Sequence, residues 1–329
     1  MERPRADASG SNRHGALASV WSVSDGRAGN VRQAEALANV LGPAQAVGLQ
    51  PRWPWRALAP RRIAGSAHAF GVDFESALDA PPSVAVGCGR QAALATRLLR
   101  ELGSKVVQIL DPRIDPAHWD VVVVPRHDGV HGRNVITSLG SLHAVDDLWL
   151  AQARAQFTAF QALPRPRTAV LLGGSSRHVR FDRMAFEMLA TQLEAAFAHE
   201  GGSLLLSTSR RTSAELCDAT RHRFVATPAV TWLGAQDGEN PYPGMLAWAD
   251  RIVCSPDSVN MISEACATSA PVHVFEPERA RGRLRAFLDG LLAIGRIRAV
   301  DGVLAAFDVE PLRETTRIAG EIRERLSLT

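Results

Sequence analysis

Short apolar runs alternate with longer stretches of helical period almost throughout the 329-residue chain. Ser19–Val23, Val84–Val86, Lys105–Leu110, Val121–Val124 and Asn134–Thr137 read as strands in the first half. Ala169–Leu172, Ser203–Ser207, Val230–Leu233, Ile252–Cys254 and Val272–Phe275 do so in the second. Several are continuously apolar, the pattern of parallel strands covered on both faces. Between them, Ala93, Leu94, Leu98 and Leu102 share one face of a helix over Arg90–Leu102. Met184, Met188, Leu189, Leu193 and Phe197 do the same over Asp182–Ala198.

A proline-rich break, Pro164-Arg165-Pro166-Arg167, divides the pattern. The alternation on both sides predicts an α/β protein of two Rossmann-like, doubly wound domains, over 16–163 and 168–300. Residues 1–15 read as a disordered tail, and a last helix near Pro311–Leu326, within 309–329, is expected to pack back on the first domain.

Composition bounds the function classes. A 46% hydrophobic fraction suffices for packed cores, and the length exceeds the ~250–300 residues at which single cores stop growing. A net charge of +3 does not indicate a nucleic-acid binder, although arginine far outnumbers lysine among the 37 basic residues and supplies forked donors for phosphates. No apolar run approaches the ~20 residues of a membrane-spanning helix. Cys88, Cys217, Cys254 and Cys266 are scattered, as in a reduced cytoplasmic protein. The expected location is the cytoplasm, with peripheral attachment to the inner membrane as the variant.

In an open parallel sheet, ligands sit at the carboxyl ends of strands, so the loops there are the candidates. After the first strand, Asp25-Gly26-Arg27-Ala28-Gly29-Asn30 leads into a helix carrying Gln33. Its glycines permit close backbone approach, and Asp25 and Gln33 suit a substrate hydroxyl or proton transfer; a plain turn capped by Asp25 is an equal reading. Gly87-Cys88-Gly89-Arg90-Gln91-Ala92 matches the dinucleotide pattern G-x-G-x-x-A, with Asp111 ending the next strand, but no hydride-transfer set accompanies it. The next two loops, Asp111-Pro112-Arg113 and Pro125-Arg126-His127-Asp128, carry Arg113 and Arg126, and adjacent His127 and Asp128 are general-base material. His127 and His131 lie four apart, yet Gly129, Gly132 and the lack of a third ligand argue against a metal.

The second half carries phosphate-suited loops. Gly173-Gly174-Ser175-Ser176-Arg177-His178 and Ser207-Thr208-Ser209-Arg210-Arg211-Thr212 each combine hydroxyls and arginine after a strand. Asp257-Ser258-Val259-Asn260 opens a helix in which Ser258 is a natural cap and Glu264 lies two turns in. Asn240-Pro241-Tyr242-Pro243-Gly244 is a rigid loop that lines the cleft or merely connects. Pro51-Arg52-Trp53-Pro54-Trp55-Arg56 joins tryptophans to arginines, which suits a membrane interface or lipid-linked acceptor, or a folded loop with solvated arginines.

The segments DGRAGNVRQ, VVQILDPR, VVVVPRHD, NVITSLGSLH, GGSSRHVRFD, STSRRT, ENPYPGML and DSVNMISEACAT, in that order from Trp21 to Phe275, resemble a bacterial member of the mitochondrial fission "elongated mitochondria" family. Asn30 stands where the family carries histidine, so it receives no acid–base role, and Gln91 replaces a basic residue. The resemblance implies a GT-B-like fold, with a nucleotide sugar held by the C-terminal domain and an acceptor by the N-terminal one.

The leading expectation is therefore a glycosyltransferase with no tightly bound cofactor, using a nucleotide-diphosphate sugar as co-substrate. Gly173, Gly174, Ser175, Arg177, Ser209, Arg210 and Asn240 would hold the donor with Asp257, Ser258, Asn260 and Glu264. Gly26, Gly29, Asn30, Gln33, Arg113 and Arg126 would face the acceptor, with Asp25, or His127 with Asp128, as the base. A lipid-linked or membrane-surface acceptor is the expected class. A non-catalytic recruitment module and an NAD(P)-dependent epimerase or oxidoreductase are the alternatives.

Overall fold

The β-rich runs become two six-stranded sheets in the computed structural model, which describes residues 19–328. The expected tail at 1–15 lies outside the described residues. The first sheet contains β1 (Val20–Ser24), β2 (Ala44–Gly48), β3 (Val84–Cys88), β4 (Lys105–Ile109), β5 (Val121–Pro125) and β6 (Val135–Ser138), ordered β2-β1-β3-β4-β5-β6. The second contains β7 (Arg167–Leu172), β8 (Ser203–Thr208), β9 (Ala229–Trp232), β10 (Arg251–Cys254), β11 (Val272–Val274) and β12 (Ile297–Ala299), ordered β12-β11-β10-β7-β8-β9. Every neighbouring pair is parallel.

Strand order reverses direction at one point in each sheet, between β1 and β3 and between β7 and β10. The second sheet, renumbered from β7, has the 3-2-1-4-5-6 order of dinucleotide-binding folds. Helices cover both faces, as the continuously buried β3, β5, β7 and β8 require. On the first sheet, one face packs Leu94, Leu98 and Leu99 with Phe70, Phe74 and Trp119, and the other packs Ala34, Leu37 and Ala38.

Two helices exchange sides. Ile318, Ala319 and Ile322 of the helix Glu314–Leu326 complete the core on the first domain. The helix Asp147–Gln156 instead packs Leu150 and Ala153 into the second domain's core, where Arg154 Nε donates to the Ala247 carbonyl at 2.8 Å. An N-terminal domain running to 163 is thus corrected: this helix, although it precedes the proline break, belongs by packing to the second domain. No helix among the described residues is long and apolar enough to cross a membrane.

The domains meet through Gly140. A Cβ there would lie 2.4 Å from Ser263 Oγ, and the neighbouring Ser141 N–H donates to that same oxygen at 3.0 Å. Next to this contact, Leu139 N–H donates to Glu314 Oε2 at 2.7 Å, tying the returning helix to the same segment.

Candidate functional site

A cavity of about 660 Å³ opens at the carboxyl ends of β7, β8 and β10, at the strand-order reversal of the second sheet. Ser209 and Arg210 line it from the loop after β8, and Ser258, Asn260 and Glu264 from the helix Val259–Cys266. Ala28, Gly29 and Arg32 close it from the first domain. At the cavity the domains also approach closely: a Cβ on Gly29 would lie 2.9 Å from Asn260 Nδ2. The loops expected to hold a donor and the first turn of the chain's first helix thus face one cleft.

Three features give the cavity its chemistry. Arg210 is exposed and makes no hydrogen bond or ion pair among the described residues. Ser258 caps the helix by accepting from Met261 N–H at 3.4 Å, leaving the Val259 and Asn260 N–H groups of the first turn without partners among the described residues. Glu264 is buried, accepts from Tyr242 Oη at 2.6 Å and from Arg32 Nη1 at 3.4 Å. Burial holds its carboxyl above the usual range, against the pull of Tyr242 and Arg32. Burial, then the Glu264 charge, drives the Tyr242 phenol well up, so Tyr242 stays a neutral donor. Asn240 Oδ1 accepts from Tyr242 N–H at 3.0 Å and its amide lines the opening.

The other glycine-serine loop does not serve the cavity in the way the sequence suggests. Gly173 N–H donates to Ser255 Oγ at 2.7 Å and Gly174 N–H to Asp257 Oδ2 at 3.1 Å, so neither is free for a phosphate. Room for a Cβ at Gly173 is filled by the Asp257 carboxylate, 2.2 Å away. Asp257 also accepts from Ser255 Oγ at 2.6 Å and pairs with Arg211 at 2.7 Å, so it organises the two loops rather than presenting a free acid. Ser175 Oγ accepts from Phe181 N–H at 3.0 Å. Arg177 lies in a separate depression of about 620 Å³ with His178, whose Nε2 accepts from Arg177 Nε at 2.9 Å. Donor roles for Gly173, Gly174, Ser175 and Arg177 are corrected accordingly.

On the first domain, the turn after β1 borders two cavities. Asp25 and Arg27 line a second cavity of about 940 Å³, whereas Ala28, Gly29 and Arg32 face the first. Gly26, at φ 77°, forms the exposed tip. Asp25 Oδ1 accepts from Arg27 N–H at 3.2 Å and Asn30 Nδ2 at 3.0 Å. Asn30 is spent on this turn and on Gly89, where a Cβ would meet Asn30 Nδ2 at 2.5 Å. A Cβ on Gly87 would strike Thr96 at 2.7 Å and Gln108 at 2.9 Å. The G-x-G-x-x-A glycines therefore make room for Asn30, Thr96 and Gln108 rather than for a pyrophosphate.

Four acceptor-side expectations are likewise corrected. Gln33 is buried, donating to the Gly29 carbonyl at 3.3 Å and accepting from Leu142 N–H at 3.4 Å. Arg113 and Arg126 point to solvent away from both cavities. His127 and Asp128 sit in the domain contact: Asp128 pairs with Arg283 at 3.1 Å, and the His127 ring meets Phe287 edge-on at 6.1 Å. Burial, with Arg283 adding to it and Asp128 opposing, lowers the His127 imidazole. A base must reach substrate, and this pair is turned into packing.

Arg32, Arg211, Trp232 and Tyr242 are cavity residues absent from the expected set. The strand-end rule points to Trp232, the last residue of β9. Helical spacing points to Arg32, one turn beyond Gly29.

The family model described as mitochondrial fission ELM1 matches residues 28–326. The mitochondrial fission protein ELM1 of Arabidopsis thaliana is 29% identical over 277 residues, covering 75% of this chain and 64% of that protein, so the chain spans less than two thirds of that relative's length. An uncharacterised protein of Rickettsia prowazekii (strain Madrid E) is 24% identical over 351 residues, covering 94% of this chain and 99% of that protein. Among solved structures, the UDP-GlcNAc 2-epimerase of Methanocaldococcus jannaschii is similar with a TM-score of 0.51 at 11% identity, covering 93% of this chain and 99% of that one. The calicheamicin glycosyltransferase CalG4 gives 0.49 at 12% identity, covering 94% and 98%. The fold, two Rossmann-like parallel sheets, is GT-B-like, as in that epimerase.

Proposed function

The chain belongs to the mitochondrial fission ELM1 family, and from that premise and the cleft we propose that it is a GT-B-like glycosyltransferase drawing its sugar from a nucleotide-diphosphate donor. The observation that carries this reading is the cavity at the β7/β10 reversal, where Arg210, without a partner among the described residues, and a capped helix start converge. Arg210 forks onto the diphosphate together with the Val259 and Asn260 N–H groups. Trp232 offers a ring to the base, and Glu264, oriented by Tyr242 and Arg32, accepts from ribose hydroxyls. The acceptor enters through the first-domain cavity.

In the transfer, the acceptor hydroxyl oxygen bonds to the anomeric carbon as the carbon–oxygen bond to the diphosphate breaks, its electron pair leaving on the nucleoside diphosphate. The hydroxyl proton passes to Asp25, whose Oδ1 is held by Arg27 N–H and Asn30. Arg210 and the helix dipole stabilise the charge growing on the leaving group.

The Methanocaldococcus jannaschii protein is named for action on UDP-GlcNAc, which makes UDP-sugars the first probes. Calorimetric titration with UDP-GlcNAc and with UDP is expected to show binding that Arg210→Ala weakens about tenfold or more, the worth of a charge-assisted hydrogen bond. Binding undiminished in that variant overturns the assignment. The same likeness favours a second reading, epimerisation of the donor; sugar inversion without any acceptor in the product mixture would select it.

A further inference from the structure

The second cavity, about 940 Å³, lies beside β1 and the edge strand β2 of the first sheet, and its role as the acceptor site rests on that reading. Its floor is aromatic, with Trp21, Phe70 and Phe74 buried beneath it. Its charges are Arg27, Arg52, Arg56, Asp25 and Asp73. Arg27 and Asp25 approach each other at 3.6 Å. The Arg52 and Arg56 guanidiniums make no hydrogen bond or ion pair among the described residues, and the lining sets two carboxylates, Asp25 and Asp73, against its three arginines. Arg52 is nonetheless placed: Gly71, at φ 89°, leaves its guanidinium room, since a Cβ there would lie 3.3 Å from Arg52 Nη2.

The mouth is unusual in a second way. Val72, on the lining beside Gly71, is 65% exposed, and Trp53, outside the lining but directly after Arg52 in the chain, is 82% exposed. Trp55 by contrast is half-buried against the core, so the two tryptophans divide the work of anchoring the loop and facing outward. Arginine forks select a phosphate, while exposed apolar side chains at the mouth and just beyond it gain only from covering an apolar chain. We propose that this cavity binds a phosphate-bearing amphiphile as acceptor, with Arg52 and Arg56 on the phosphate, Trp53 and Val72 against its apolar chain, and Asp25 facing its hydroxyl.

Three probes titrated into the full chain test this: dihexanoyl phosphatidic acid, dihexanoyl phosphatidylcholine and inorganic phosphate. Phosphatidic acid is expected to bind about tenfold or more tightly than either of the others, and the Arg52→Gln, Arg56→Gln double variant to lose about tenfold or more. Trp53→Ala should weaken phosphatidic acid and leave inorganic phosphate unchanged. Unaltered UDP binding and melting temperature in the double variant show that the loss is local; if the double variant unfolds, each single Arg→Gln variant reads the same loss. Equal binding of the two lipids, or undiminished phosphatidic acid binding in the variants, overturns the proposal. Inorganic phosphate binding as tightly as phosphatidic acid keeps the anion site and overturns the apolar part. Phosphatidic acid binding without UDP binding would refute only the donor reading, and the reverse only this one.

Discussion

Glu264 shows how one buried side chain is made usable. A carboxylate with so little exposure is costly unless its oxygens are hydrogen-bonded, and Tyr242 Oη and Arg32 Nη1 supply those bonds from two different domains. Tyr242→Phe removes the shorter bond and leaves the acceptor buried, so it should lower stability by about 1–3 kcal/mol in urea unfolding. It should also weaken UDP-GlcNAc binding, because Glu264 loses its orientation. Asp257 is the contrasting case: it is equally acidic in sequence, but its oxygens are consumed by Gly174 N–H, Ser255 and Arg211. Residue type announced both acids, and only their partners separate the one that faces ligand from the one that braces loops.

At the scale of elements, the strands with buried faces were legible, as were the edges β6 and β9, and the edges β2 and β12 were not. β3, β5, β7 and β8 carry valine and leucine runs with every position buried. β2 and β12, at the sheet edges, read AQAVG and IRA, half exposed and with few residues of strong strand preference, so no apolar run marks them. The glycine-rich turns were legible as tight turns but not as to what approaches them. Gly140 is the sharpest instance, because its missing side chain admits Ser263 of the other domain. Gly140→Ala should destabilise the chain and loosen the domain contact, and adding Ser263→Ala should recover part of the loss by removing the oxygen at 2.4 Å. A double-mutant cycle in urea checks this: fully additive effects would refute direct contact as the cause.

The whole molecule is held by contacts that cross the proline break twice, through the helices 147–156 and 314–326, and this shapes its response to pH. His143, whose carbonyl accepts from Thr315 Oγ1 on the returning helix, is pulled down to about 4 by burial and the Arg313 charge. His273 in β11 is pulled to about 4 by burial and Arg251, against Asp301. Both folded values lie below the ordinary 6.5, so between these limits only the unfolded chain takes up the protons. Their stability contribution is therefore present above about pH 6.5 and lost progressively as pH falls towards 4, on the order of 3 kcal/mol each. Melting temperature should drop across that window, and a His143→Gln, His273→Gln variant should show a shallower drop from its own neutral value. An unchanged slope would assign acid sensitivity to other groups.

The sequence by itself determined two parallel-sheet domains and the strand ends at which ligands meet them, because hydrophobic period and glycine-bearing turns are local properties of the chain. It also marked Arg210, Ser258, Asn260 and Glu264, since residue chemistry directly after a strand survives any packing. What only the tertiary structure decided is partnership. Hydrogen bonds turned Gly173, Gly174, Asp257 and Gln33 inward, domain contact took His127 and Asp128 out of reach of substrate, and the turn after β1 came to border two cavities. A donor or acceptor serves a ligand only if no nearer protein group has claimed it, and those claims come from residues as far apart as Arg32 and Glu264, 232 positions along the chain.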